Sequence, residues 1–193
     1  MRLVNFFLSV LFIVSCSATG KLDVHIERSL TGSTKEIRLE ALDSLTEEYD
    51  SRVVSEQEYE KVISALEVLI KDEDDDIRAK AVALLFHTHD SRAEDYLYEF
   101  FEDRNPQIRV IAVQSVIFGG GHGKPDLRKR VEAMLDDQDE NVREYTAYAL
   151  TSIGNADTIR KLINYAKREK SQKVAQAMDI AIARLSEKFS ISK

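Results

Sequence analysis

The stretch DIRAKAVALL, residues 76–85, decides the fold. Ile77, Ala81 and Leu85 stand four apart, so they share one stripe of an α-helix. Four other segments run in the same phase: EIRLEALDSL from Glu36, QIRVIAVQSV from Gln107, NVREYTAYAL from Asn141 and KVAQAMDIAI from Lys173. Their leading aliphatics, Ile37, Ile77, Ile108, Val142 and Val174, follow at intervals of 40, 31, 34 and 32 residues. The middle positions are Ala41, Ala81, Ala112, Thr146 and Met178, mostly small, which lets adjacent helices approach closely. The last are Leu45, Leu85, Val116, Leu150 and Ile182. Periods in this range mark stacked supersecondary units.

A second regularity sits three residues before each leading aliphatic: Thr34, Asp74, Asn105, Asp139 and Ser171. Each can cap a helix by accepting from an orphan backbone N–H, worth about 1 kcal/mol. Pro106 follows Asn105, at the first helical position, where a missing N–H costs nothing. Upstream of four of these capped "B" helices lies an amphipathic "A" stretch: Tyr59–Lys71, Ala93–Glu102, Leu127–Leu135 and Ile159–Lys167. Acid-rich turns such as KDEDDD at 71–76 and DDQDEN at 136–141 join A to B. Two prolines and seven glycines in 193 residues leave few helix breakers.

The pattern of an acidic turn followed by (Asp/Asn)-x-x-(Val/Ile)-Arg-x-x-Ala-x-x-x-Leu resembles HEAT-like repeats of the short type found in phycobilisome-lyase-like arrays. Asp74, Ile77, Arg78, Ala81 and Leu85 match it in full. Asn105, Ile108, Arg109, Ala112 and Val116 match with Val in the last place. The final unit departs, with Ala175 for Arg and Met178 for Ala, as a capping repeat would. The resemblance covers residues 34–188 and implies an all-α, right-handed α-solenoid of HEAT-like helix pairs. Arg38, Arg78, Arg109 and Arg143 share one phase and are read as a structural ladder, each pairing with Asp in the inter-helix turns.

The N-terminus reads as an address. Residues 1–16, MRLVNFFLSVLFIVSC, place one Arg before a 12-residue apolar run, too short to span a bilayer as a helix and suited to a signal peptide. Ile13-Val14-Ser15-Cys16 resembles a bacterial lipobox, and Cys16 is the single cysteine of the chain. The resemblance implies a diacylglycerol on the Cys16 thiol, acyl chains such as palmitate, and cleavage just before it. Two acyl chains give stable attachment to a membrane. Ser17 rather than Asp follows; in enterobacterial lipoproteins Asp there tends to hold the protein at the inner membrane, so the outer membrane or periplasmic side of the envelope is favoured. The expected organisation is therefore 1–15 signal peptide, 16–33 lipidated N-terminus and tether, and 34–193 repeat domain. Leu22, Val24 and Ile26 alternate with polar residues, a hint of a strand; a degenerate first helix A is the alternative.

Net charge is −7. An acidic surface repels phosphate backbones, which argues against a nucleic-acid partner. The basic clusters Lys124, Arg128, Lys129, Arg130 and Arg160, Lys161, Lys167, Arg168, Lys170, Lys173 are expected as solvated helix faces. The run Gly119-Gly120-Gly121-His122-Gly123-Lys124 fails as a phosphate loop: Phe118 stands where Gly is required and Pro125 where Ser or Thr is required. It is expected as a flexible turn. His87, His89 and His122 are weak metal candidates, since stacked repeats would bring their turns near each other, but their spacing matches no zinc motif. No Ser-His-Asp or HExxH arrangement is present, so no catalytic residue, no cofactor and no enzymatic activity are expected. The B-helix face opposite the core carries Val110, Gln114, Glu144, Tyr145 and Tyr148. Exposed Tyr and aliphatics suit a protein interface; wider burial of the same residues is the competing reading. The expected function is a membrane-anchored envelope scaffold or adaptor that binds a protein through this face. The alternatives are a bilin-lyase-like enzyme or accessory factor, implied by the repeat type alone, and a weak metal-binding protein.

Overall fold

The computed structural model describes residues 20–190. The signal peptide and Cys16 lie outside the described residues. Eleven α-helices and one 3-10 turn follow in order, with no strand among the described residues. They form five consecutive helix pairs. The A elements are α1 (Lys21–Thr31), α3 (Glu56–Leu69), the short α5 (Arg92–Asp95) with α6 (Leu97–Phe100), α8 (Leu127–Ala133) with a 3-10 turn, and α10 (Ala156–Ala166). The B helices are α2 (Lys35–Ser51), α4 (Asp75–His87), α7 (Pro106–Ile117), α9 (Glu140–Ile153) and α11 (Gln172–Ser190). Each B helix packs on the next, α2 on α4, α4 on α7, α7 on α9 and α9 on α11. This is an all-α solenoid.

The B helices start where their caps require. The side chains of Thr34, Asp74, Asn105 and Asp139 accept from backbone N–H groups of the first turn of α2, α4, α7 and α9. Ser171 directly precedes α11. The A helices α3 and α10 begin with reciprocal capping boxes, Ser55 with Glu58 and Asn155 with Thr158.

The three-position stripe forms the core. Ile77, Ile108, Val142 and Val174 are fully or almost fully buried; so are Ala41, Ala81, Ala112, Thr146 and Met178, and so are Leu45, Leu85, Val116 and Leu150. The two exceptions, Ile37 and Ile182, belong to the terminal repeats and are half-buried. A terminal repeat has a neighbour on one side only, so part of its stripe stays open. Thr146 satisfies its hydroxyl locally, donating to the Val142 carbonyl at 2.7 Å.

Residues 21–31 correct the expectation of a tether or strand. They form α1, whose Leu22 is fully buried, so the first repeat is a complete pair. The apparent alternation of Leu22, Val24 and Ile26 hid a helical stripe, Leu22, Ile26 and Ser29, spaced four and three apart. The chain turns into α2 at Gly32, where a Cβ would lie 2.6 Å from the Arg28 carbonyl oxygen, so only glycine fits this close approach. Helix A of the third pair, expected as one element, is instead two short helices that meet at Tyr96.

Candidate interaction surface

The arginines in phase form a ladder along the A–B turns. Each guanidinium reaches forward to a carboxylate of the next repeat and back to a backbone carbonyl of its own repeat, in the A–B turn for Arg78, Arg109 and Arg143 and in α1 for Arg38. Arg78 binds both oxygens of Asp103 at 2.9 Å and donates to the Asp72 carbonyl at 2.8 Å. Arg109 binds Asp137 at 2.7 and 2.8 Å and donates to the Asp103 carbonyl at 2.7 Å. Arg143 binds Glu169 at 2.8 and 2.9 Å and donates to the Asp137 carbonyl at 2.8 Å. Arg38 pairs with Asp72 and donates to the Ser29 carbonyl. The same carboxylates accept the backbone N–H two residues on, at Asp74, Asn105, Asp139 and Ser171. These are the cap residues of the B helices. One acid therefore joins an arginine of the preceding repeat to the helix start of its own. The fourth rung uses Glu169 where Asp was expected. Arg143 beside Glu169 holds that carboxyl down at about 2. The ladder is occupied on every rung and leaves no arginine there for an external anion.

Two more carboxylates are buried, and each is committed to packing. Burial pushes the Glu132 carboxyl up, but Lys161 at 2.6 Å, Thr158 at 2.5 Å and Arg128 at 2.8 Å outweigh it and leave it below the usual range. This ties α8 to α10. Asp90 is held well below the ordinary carboxylate range by Arg92, and it accepts from the Tyr59 hydroxyl at 2.6 Å. Burial and that bond raise the Tyr59 phenol to about 12. Neither acid is free to shuttle a proton to a substrate.

The predicted partner-binding residues lie on α7 and α9. Val110, Gln114, Glu144, Tyr145 and Tyr148 are all half-buried. Val110, Tyr145 and Tyr148 pack partly on the core, and the two tyrosine rings meet edge to face, with centroids 6.3 Å apart. Glu144 lies 3.4 Å from Lys173 of the next B helix. The face is thus narrower than a helical wheel implies, because B helices flank one another on both sides.

A concave site lies one repeat earlier, at the ends of the B helices. A cleft of about 650 Å³ opens between the C-terminal ends of α4 and α7. Phe86, Ala93 and Ile111 give it an apolar floor, and His87, His89, Glu94 and Gln114 border it. At its mouth stands Phe118, 86% exposed. Of the predicted face the cleft takes in Gln114 alone. Phe118 follows the last turn of α7 directly, outside the helical phase. A large apolar residue immediately ahead of Gly119-Gly120-Gly121 was the available signal. The glycine-rich run does form a turn, in which Gly119, Gly121 and Gly123 all have positive φ.

The three histidines do not converge. His87 and His89 line the α4/α7 cleft, and His87 Nε2 sits 2.7 Å from Asp50. His122 borders a different cleft, with Lys124, Arg128 and Lys129. Among the described residues no group of three His, Cys, Asp or Glu side chains is placed to hold a metal ion.

Comparison with known proteins agrees with the architecture. The family described as HEAT repeats matches residues 95–183. An engineered protein of known crystal structure shares the fold, with a TM-score of 0.52 at 15% identity, over 86% of this chain and 80% of that one. No curated protein matches the sequence.

Proposed function

We propose that this chain, a HEAT-like repeat solenoid, is a membrane-anchored envelope scaffold that holds a partner protein against the B-helix side of its middle repeats. At the general level the repeats suggest a protein-interaction scaffold, and such a solenoid is typical of non-enzymatic proteins. The finer reading rests on one observation: Phe118 stands almost fully in solvent beside an apolar-floored cleft. A lone exposed apolar residue is ordinary, but an aromatic ring next to a concave site has the form of an interface anchor. The half-buried Tyr145 and Tyr148 extend the same side toward α9. Phe118→Asp is expected to abolish capture of the partner from solubilised membranes while leaving the melting temperature unchanged, because the ring contributes little to the core. Tyr145→Ala/Tyr148→Ala is expected to weaken the same capture. Undiminished capture by Phe118→Asp would remove this cleft from the interface.

The membrane part of the proposal rests on the lipobox-like Ile13-Val14-Ser15-Cys16. No described helix is long and apolar enough to cross a membrane. Lipid on Cys16 would supply the attachment. Cys16→Ser is expected to move the protein out of the membrane fraction and to stop incorporation of labelled palmitate. A variant that stays with the membrane unlabelled would show another means of attachment.

A further inference from the structure

Charge is divided unevenly along the solenoid. Residues 20–104 carry 23 carboxylates against 11 Lys and Arg, a net −12. Residues 105–190 carry 11 carboxylates against 14, a net +3. The overall value of −7 conceals this. A net field of one sign over half a small protein attracts and orients partners of the opposite sign.

The acidic half contains an open groove on its A side, between α1 and α3. Its volume is about 750 Å³. Ile26, Leu30, Ala65 and Val68 make its walls and floor, and Glu56 and Glu60 stand on its rim. An Asp23–Lys61 pair at 2.7 Å ties the two helices together. Val68 is 61% exposed, although its helix already buries Val62, Ile63, Leu66 and Leu69. The fold does not need valine there. Glu56 has no cationic partner within 4 Å among the described residues, so its charge is open to a ligand.

We propose that the α1–α3 groove docks a cationic amphipathic helix of a partner protein. Apolar side chains of that helix would lie on Val68, Ile26 and Leu30, as an amphipathic helix lies in a groove between two helices. Its Lys or Arg residues would face Glu56 and the surrounding acidic field; Glu60 is already held by Arg92 through both oxygens, at 3.0 and 3.1 Å. A second copy of this chain fits less well. Two copies carry −7 each and repel. Much of the basic half is internally matched: Arg130 lies against Glu102, Arg160 against Asp157 and Arg168 against Asp136. The groove is separate from the α4/α7 cleft, and the proposal does not depend on that site.

The test uses the full chain in zwitterionic nanodiscs, with empty nanodiscs as baseline. It is titrated with a fluorescent amphipathic Leu/Lys peptide and with the same peptide carrying Glu for Lys. The Leu/Lys peptide is expected to bind, and the Leu/Glu peptide is not. Val68→Lys and Glu56→Lys are each expected to weaken binding roughly tenfold or more. Glu187→Lys, an equal charge change in the last repeat, is expected to change it by less than about twofold. Phe118→Asp is expected to leave it unaltered. All four positions are surface positions, and unchanged circular dichroism is the expected check on folding. No binding, equal weakening by Glu187→Lys, loss with Phe118→Asp, or self-association that excludes the peptide would each overturn the proposal.

Discussion

Arg143→Ala is expected to destabilise the domain by about 3 kcal/mol at neutral pH, at the low end for breaking a buried ion pair. Glu169 is 6% exposed at its side chain, and Arg143 grips both of its oxygens. Removing the guanidinium strands that carboxylate and also frees the carbonyls of Asp137 and Gln138. Glu169 would keep the N–H groups of Lys170 and Ser171, which moderates the loss. Arg143→Lys is expected to recover only part of it, because a point charge cannot grip two oxygens and two carbonyls together. The pH dependence has a definite sign. The Glu169 carboxyl is lowered from 4.5 to about 2, so its contribution is fully present above 4.5 and is lost as pH falls toward 2. The gap in melting temperature between wild type and Arg143→Ala should therefore narrow over that window. A gap that is constant from pH 7 to pH 2.5 would show that the ion pair is not what the mutation removes.

Ile108→Ala is expected to cost about 2–5 kcal/mol, the range for truncating a fully buried aliphatic side chain. Ile108 is fully buried in the central repeat, with α4 on one side and α9 on the other. Ile37 has the same side chain at the same repeat position but is half-buried in the first pair. Ile37→Ala should therefore cost markedly less. For a chain of this length each kcal/mol lowers the melting temperature by roughly 2–4 °C, so thermal melts separate the two variants readily. The central substitution should also broaden the transition, since a solenoid is held together by nearest-neighbour interfaces. Equal losses at the two positions would mean that the end repeat is covered in solution by something other than its single neighbour.

What the sequence alone determined is what depends on residues a few positions apart. A cap acts on N–H groups two or three residues ahead, so Thr34, Asp74, Asn105 and Asp139 announce their helices in any context. The spacing of Ile77, Ala81 and Leu85 defines a helix face by geometry alone, and its repetition requires a stack. The arginine phase was legible for the same reason. Other features depend on where a neighbouring repeat arrives. Which acid each arginine takes was decided across gaps such as the 34 residues from Arg38 to Asp72 and the 25 from Arg78 to Asp103. Residues 21–31 alternate locally in a way that fits a strand, and packing on α2 and α3 decided for α1. The B-helix face looked open on a wheel and is half-buried because helices flank it on both sides. Phe118 reads in sequence as the edge of a turn. Its exposure, the cleft beside it and the groove beneath Val68 exist only in the stacked structure, because concavity is made between helices and not along one.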